Sequence, residues 1–344
     1  MTSARRDIVE EGVDGTYHCT NRCVRRAHLC GVDKDTGKNY EHRKDWIRNR
    51  LIYLSDVFVM DILSFAVMDN HLHIMIRTNF NKLASLSDRE ILRRWKKLFP
   101  KKNNLDDNSF EPTDEELKVM QLNTERMKEI RRRMGDVSWF MKSVDEYIAR
   151  EANKEDDVTG CFWEGRFSCE RAMDEGATLN CAIYIDLNPI RAGIYETPEE
   201  SQFTSVYERI HEKTINTVQD KLKEQDALGP DFAELNKRQT NWLAPIDNRK
   251  SERGFLSMDF EQYLTLLEWT GQQIRTDKRG AIPSNILPIL ERLKIRAEQW
   301  VDNIIKHGEM FHRVVGNKAE IRDLAARRGK HWFKGYSAAK QNFM

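Results

Sequence analysis

Two histidines flank a single leucine in the stretch VMDNHLHIMIRT, residues 67–78. The apolar residues of this stretch, and the Asp69-Asn70 pair within it, predict a strand that follows a tight hairpin turn. Residues two apart on a strand point to the same face, so His71 and His73 would project side by side. Two neutral imidazoles placed in this way can share one divalent metal ion. A packed or solvent-exposed histidine pair would fit the same residues.

A tyrosine and an asparagine form the second candidate group, in NCAIYIDLNPIRAGI, residues 180–194. Tyr184 and Asn188 are four residues apart and would share one face of a helix predicted over residues 174–188, which Pro189 ends. A phenol is a poor nucleophile at its ordinary pKa of about 10. Beside a metal ion that polarises a phosphate, it can attack phosphorus and form a phosphotyrosine. The amide oxygen of Asn188 suits Mg²⁺ or Mn²⁺, and a core tyrosine with a helix-ending asparagine is the alternative.

Strands and helices alternate along the part of the chain that must position these groups. Together they predict an α+β fold, a ferredoxin-like antiparallel sheet covered by helices, with a helical insertion at about residues 101–135. The predicted strands cover residues 14–24, 60–68, 71–78 and 160–172, and the predicted helices cover residues 40–57, 85–98, 113–134, 136–151 and 174–188.

The chain divides into three parts by composition. Residues 1–212 contain the predicted sheet, residues 213–257 are polar and predict a linker or peripheral helices, and residues 258–344 predict a helical C-terminal region. Within the last part, helices are predicted at residues 258–274, 284–306 and 317–328. This region could contact DNA or could form a cap that packs on the sheet domain.

Charge is balanced over the 344 residues but locally uneven, with 56 lysines and arginines against 55 aspartates and glutamates. Segments 88–102 and 318–340 each contain seven basic and two acidic residues. Such basic patches on a near-neutral chain suit a protein that binds a polyanion locally, although solvated helix faces have the same composition.

The six cysteines form no CxxC pair, and the C-x3-C of CTNRC has no second pair to complete a zinc site. Buried thiols in a reducing compartment are therefore expected. No apolar run approaches the ~20 residues of a membrane helix, and the first residues lack the apolar core of a signal peptide. These features favour a cytoplasmic location without membrane contact.

The two motifs together resemble the single-tyrosine HUH transposases, and within them the REP-associated tyrosine transposase branch. The HUH motif is two histidines around a hydrophobic residue, here His71-Leu72-His73, and the tyrosine motif is here YIDLNPIRAGI. The early YHCTNRC and the later FWEGRF also match. The resemblance covers about residues 12–210, interrupted by the helical insertion.

This resemblance implies a transposase domain over residues 1–212 that nicks single-stranded DNA with palindromic hairpins. Tyr184 would attack the scissile phosphate, leaving a 5′-phosphotyrosine and a free 3′-hydroxyl that can rejoin DNA without ATP. His71 and His73 would bind Mg²⁺ or Mn²⁺. Asn188 would be the third ligand, where insertion-sequence relatives carry glutamine. Family members differ in being monomers or dimers, so the oligomeric state stays open.

Basic residues near the predicted sheet and on the predicted helix over residues 89–97 are candidates for DNA binding. Those near the sheet would contact backbone phosphates, and those on the helix would follow a hairpin stem. Each could equally be an ordinary surface cation. The candidates are Arg22, Arg166 and Arg191 near the sheet, and Arg93, Arg94, Lys96 and Lys97 on the helix.

Two other functions fit the same motifs. One is a DNA-hairpin binding regulator without turnover, against which the intact histidine pair and Tyr184 argue. The other is a replication or mobilisation initiator, but such proteins commonly carry a helicase region and no GxxxxGK[ST] pattern is present. The transposase hypothesis implies a cytoplasmic, nucleoid-associated protein.

Overall fold

The computed structural model describes residues 7–24, 29–33, 36–99, 110–212, 241–248, 251–275, 295, 299–311 and 313–343. Five strands within these ranges form one mixed sheet in the spatial order β2-β3-β1-β4-β5. Neighbouring strands are antiparallel, except that β4 and β5 are parallel. The strands are β1 (Thr16–Arg22), β2 (Met60–Val67), β3 (His71–Thr78), β4 (Ser168–Ala172) and β5 (Val314–Val315).

Helices cover both faces of this sheet, so the predicted α+β fold is confirmed, with a mixed rather than purely antiparallel sheet. Residues 205–212 are also helical. The remaining helices are α1 (Arg43–Val57), α2 (Phe80–Ser85), α3 (Asp88–Lys97), α4 (Asp114–Gln121), α5 (Thr124–Met134), α6 (Val137–Glu155), α7 (Glu175–Asp186), α8 (Asn188–Arg191), α9 (Phe260–Arg275), α10 (Trp300–Ile305), α11 (His307–Met310), α12 (Lys318–Arg327) and α13 (Tyr336–Asn342).

Two apolar cores lie on opposite sides of the sheet. The first joins Tyr17 and Ile74 to buried residues of α1, α3 and α6. The second joins Met75 to α7, α9 and α10. Because side chains alternate along each strand, residues next to Tyr17 and Ile74 must face the second core. The histidines of β1 and β3 therefore lie on the side that α7 covers.

The predicted hairpin is confirmed, since β2 and β3 pair directly and the Met68 N–H donates to the carbonyl of His71 across the turn. Other predicted bounds need correction. The single helix expected over residues 113–134 is two helices, because Asn123 leaves the helical conformation and caps α5 by accepting from the Arg126 N–H at 2.9 Å. Of the strand expected over residues 160–172, only the last five residues form one, as β4.

The helix that carries Tyr184 ends earlier than predicted. It stops at Asp186, and a second short helix begins at Asn188 with Pro189 in its first turn. Proline is tolerated there because the first amides of a helix have no partner within the helix. Pro189 therefore starts a helical turn as well as ending one.

The C-terminal region is helical as predicted at α9 and α12, whereas most of the helix expected over residues 284–306 lies outside the described residues. No sequence pattern indicated β5, which extends the sheet by pairing with β4. Within the described residues, no helix combines the length and the apolar composition that a membrane span requires.

The buried carboxylate of Asp186 connects α7 by hydrogen bonds to elements that follow it in the chain. Asp186 is fully buried and accepts hydrogen bonds from the Ser205 hydroxyl, from the Val206 N–H at 3.1 Å and from the Tyr263 hydroxyl at 2.7 Å. Burial raises the pKa of Asp186 above its usual value. The three donors satisfy the buried oxygens and join α7 to α9.

Replacing this carboxylate should destabilise the fold more than removing one of its donors. We expect Asp186→Ala to lower the free energy of unfolding by about 3 kcal/mol, because it leaves several buried donors without an acceptor. Tyr263→Phe removes one hydroxyl and should cost about 1 kcal/mol. Denaturant unfolding of both variants checks this ranking, and equal losses would contradict it.

Candidate active site

Three neighbouring strands direct polar side chains to one face of the sheet. Thr20 of β1 lies opposite His73 of β3, and His18 of β1 lies opposite Glu170 of β4. Cross-strand partners in an antiparallel pair project on the same side of the sheet. His71, two residues before His73, shares this face. The register of the strands therefore assembles the cluster under α7.

His73 is the buried member of the histidine pair, with 4% of its surface exposed. Its Nδ1 lies 2.9 Å from Nε2 of His18 and 3.2 Å from the hydroxyl of Thr20. Its Nε2 is buried and has no hydrogen-bond partner among the described residues. Burial, reinforced by the neighbouring histidines, holds the pKa of His73 well below its usual value. The ring is therefore neutral, and an unpartnered ring nitrogen is a suitable metal ligand.

His71 is only partly buried, and its ring centre lies 4.8 Å from that of His73. Its Nδ1 lies 2.6 Å from the side-chain oxygen of Asn70, which fixes the proton on Nδ1 and leaves the lone pair on Nε2. Burial, together with the charge of Arg22, lowers the pKa of His71 to about 4. Both members of the predicted pair are thus neutral at physiological pH, as metal ligation requires.

Tyr184 of α7 lies over this cluster. The centre of its ring is 5.7 Å from that of His73 and 6.0 Å from that of His18, both in edge-to-face geometry. His307 of α11 stacks on the same ring at 4.5 Å. The guanidinium of Arg191 lies 5.0 Å from the centre of the Tyr184 ring. The predicted nucleophile and the predicted histidine pair are therefore brought together.

Asn188 is buried at the start of α8 and donates from Nδ2 to the carbonyl of Tyr184 at 3.0 Å. This bond fixes the amide relative to the tyrosine and uses the nitrogen rather than the oxygen. The oxygen stays available as a ligand atom. Its assignment as the third metal ligand stays a prediction.

The structure adds residues that the sequence did not single out. Ligand atoms of His18, Cys181 and His307 lie within 4.8 Å of one another in the interior, and such a group could hold a metal ion. Glu170 lies among them, with Oε2 3.3 Å from Nδ1 of His18 and 3.3 Å from Nε2 of His307. The alternation of β1 could have indicated His18, which stands two residues before Thr20. Nothing in the local sequence marks His307.

The predicted DNA-binding cations fall into two groups. Arg22 and Arg166 are exposed, and Arg191 donates to the carbonyl of Ile305 at 2.6 Å beside the tyrosine. Arg166 also lines a cavity of about 840 Å³ whose walls include Trp163.

The cations of α3 are paired within the chain. Arg93 and Arg94 both bond Glu90, at 2.8 and 2.6 Å. Arg93 and Lys97 also pair with Glu111, and Lys96 lies 4.0 Å from Glu116. These carboxylates compensate most of the positive charge that the sequence assigns to this helix.

No protein-family model matches the chain, and no curated protein matches it. Among solved structures, it is similar to a REP-associated tyrosine transposase bound to a REP hairpin. The identity is 13% and the TM-score 0.36, over 61% of this chain and 86% of the other.

Metal binding should depend on the histidine pair and much less on Cys181. We expect His73→Ala to weaken Mn²⁺ binding by more than about 100-fold, since loss of an outer-shell partner alone typically costs 10–100-fold. Asn188→Ala should cost about 10-fold, because water can replace one oxygen ligand. Titration with Mn²⁺ followed by electron paramagnetic resonance measures both.

Cys181→Ala is the matched control for these variants, because it removes a buried ligand atom of the alternative group while leaving the pair intact. Its affinity should equal that of the unaltered protein. A large loss in this variant, with none in His73→Ala, would place the metal between His18, Cys181 and His307 instead.

Proposed function

We propose that the protein is a metal-dependent HUH enzyme that nicks and rejoins single-stranded DNA through a covalent bond to Tyr184. The observation that carries the proposal is the position of the Tyr184 ring, 5.7 Å from the ring of a buried histidine whose Nε2 has no partner among the described residues. A nucleophile and an open ligand nitrogen in one cluster suit attack on a metal-bound phosphate.

His71 and His73 would hold the metal ion through their neutral ring nitrogens, with the Asn188 oxygen as a third ligand. Bound Mg²⁺ or Mn²⁺ would polarise a phosphoryl oxygen and stabilise charge on the phosphate. The edge-to-face packing of Tyr184 on two histidines, and the stack of His307 on it, restrict the directions in which its hydroxyl can point. Restricting the nucleophile in this way lowers the entropic barrier to attack.

In the nicking step the Tyr184 oxygen forms a bond to the scissile phosphorus, and the bond from phosphorus to the 3′-oxygen breaks. The phenol gives up its proton to solvent, and the departing oxygen takes a proton from solvent to become the 3′-hydroxyl, so no net proton is gained or lost. The 5′-phosphate stays on the tyrosine. In the joining step a 3′-hydroxyl attacks this phosphotyrosine and releases the phenol, so the number of phosphoester bonds is conserved and no ATP is needed.

Cations around the cluster fit a polyanionic substrate. Arg191 lies beside the tyrosine and would offset charge on the reacting phosphate, while the exposed Arg22 and Arg166 would bind phosphates on either side. The substrate we propose is single-stranded DNA with palindromic hairpins, as the motif resemblance implies, in the cytoplasm on nucleoid DNA. The paired cations of α3 would form a weaker, peripheral contact with the hairpin stem.

Incubation with a labelled single-stranded hairpin DNA should give a covalent adduct on a denaturing gel, and only with Mg²⁺ or Mn²⁺ present. Tyr184→Phe removes the attacking oxygen and should abolish the adduct. The matched control is Tyr195→Phe, which removes a nearby phenol beyond α8 and should leave the adduct unchanged.

The outcomes of this experiment separate the candidate functions. Tight metal-independent binding of hairpins without any adduct would favour the DNA-binding regulator over the enzyme. An adduct that persists in Tyr184→Phe and disappears in Tyr195→Phe would show that Tyr195 is the nucleophile and that the proposed chemistry is otherwise correct.

DNA affinity should depend more on the exposed Arg22 and Arg166 than on the paired cations of α3. Removing one cation that binds a phosphate should reduce the slope of log affinity against log salt by about 0.7 for a single strand. We expect this change for Arg22→Gln and for Arg166→Gln. Arg94→Gln is the control, because the Glu90 carboxylate and the Asp56 carbonyl already bind its guanidinium. Fluorescence anisotropy at several salt concentrations measures the slopes, and a larger change in Arg94→Gln would reverse the assignment.

A further inference from the structure

We infer that Glu170 and His18 are positioning residues that hold His73 in the tautomer able to bind a metal ion. The inference rests on the proposed function, because it concerns the metal ligand of that site. The chain of groups consists of the buried His73 and His18 and the partly buried Glu170, whose side chain is 15% exposed, and it runs from β3 across β1 to β4.

The imidazoles of His73 and His18 are joined by a hydrogen bond. Nδ1 of His73 and Nε2 of His18 are 2.9 Å apart. A neutral imidazole has one N–H donor and one acceptor nitrogen, so only one of the two atoms carries the proton. If His73 donates, its Nε2 keeps a lone pair for a metal. If His18 donates, the proton of His73 moves to Nε2 and blocks that position.

Glu170 contacts the other ring nitrogen of His18, Nδ1. Oε2 of Glu170 lies 3.3 Å from Nδ1 of His18. An ionised carboxylate only accepts hydrogen bonds, so this contact places the proton of His18 on Nδ1 and leaves Nε2 as the acceptor. His73 must then donate from Nδ1. Glu170 thereby selects the tautomer of a ring that it does not contact.

Glu170 is kept in its charged form by a second histidine, His307. Two histidine nitrogens face one oxygen of Glu170, and hydrogen bonds donated to a carboxylate favour its charged form. Nε2 of His307 lies 3.3 Å from the same oxygen. The opposite nitrogen of His307, Nδ1, lies 2.8 Å from the side-chain oxygen Oδ1 of Asn180. The C-terminal region thus supplies a second hydrogen-bond donor to this partly buried carboxylate.

This arrangement excludes simultaneous use of Nδ1 of His18 by another metal. A metal bound there would displace the proton to Nε2, and His18 would then donate to His73. The group formed by His18, Cys181 and His307 and the predicted histidine pair are therefore alternatives.

The first test is Glu170→Gln, which keeps the size of the side chain and adds an amide that can donate to Nδ1 of His18. We expect Mn²⁺ affinity to fall 10–100-fold, the loss typical of an outer-shell partner. Spectra of ¹⁵N-histidine protein without metal should show His73 protonated on Nδ1, and on Nε2 in a substantial fraction of Glu170→Gln. Unchanged affinity together with an unchanged tautomer would overturn the inference.

The second test compares two replacements of His18. His18→Asn retains a side-chain oxygen that can accept from His73, whereas His18→Leu has no acceptor. We expect the asparagine variant to bind Mn²⁺ at least about 5-fold more tightly than the leucine variant, because a ligand histidine needs its outer-shell acceptor. Equal losses would mean that His18 acts only through packing, and would overturn its positioning role.

Failure of this inference is distinguishable from failure of the proposed function. If His73→Ala itself does not weaken Mn²⁺ binding, the metal is not at His73 and the proposed function fails. If His73→Ala weakens binding and Glu170→Gln changes neither the affinity nor the tautomer, only the positioning role is overturned. Thermal unfolding of each variant identifies any loss that comes from misfolding, and the tautomer spectra then decide in variants that stay folded.

Discussion

The register of β1 between β3 and β4 is the constraint on which the candidate site depends. It sets Thr20 opposite His73 and His18 opposite Glu170. A slip of one residue would turn His18 into the apolar core and bring the fully buried Tyr17 into the polar cluster. Both changes are unfavourable, since a polar ring would lose its partners and an aromatic ring its packing. The apolar core on one side of the sheet therefore fixes the polar cluster on the other.

The helix that carries Tyr184 is held at both ends by residues from the last third of the chain. At its start, Asp174 accepts from the Asn317 N–H at 2.8 Å. At its end, Asp186 accepts from the hydroxyl of Tyr263. His307 stacks on the tyrosine between these two anchors. The C-terminal region thus behaves as part of the site, and β5 extends the same sheet that carries the histidines.

The sequence was sufficient for features whose signals are local. The hairpin follows from the Asp69-Asn70 turn between two apolar runs, and the alternation of β3 predicted that both histidines share a face. The contacts of Glu170 were not predictable, because its partner His307 is 137 residues away and no pattern near either residue marks the pairing. β5 was missed for the same reason, since a two-residue strand has no periodicity to detect. The break before α5 depends on one asparagine cap within an otherwise helical pattern.

The electrostatics of the folded chain differ from what the local composition of charged residues predicts. The densest basic segment forms α3, where carboxylates such as Glu90 and Glu111 pair with most of its cations. At the candidate site the charged group that its neighbours bind is a carboxylate, Glu170, and the neighbours are histidines. Burial raises the pKa of Glu170, but hydrogen bonds from His18 and His307 hold that pKa well below its usual value. The histidines that Glu170 contacts therefore stabilise its charge, at a position where little water reaches it. In the proposed site a divalent cation at His73 would add positive charge near this carboxylate, so Glu170 would favour metal binding as well as set the tautomers of the two imidazoles.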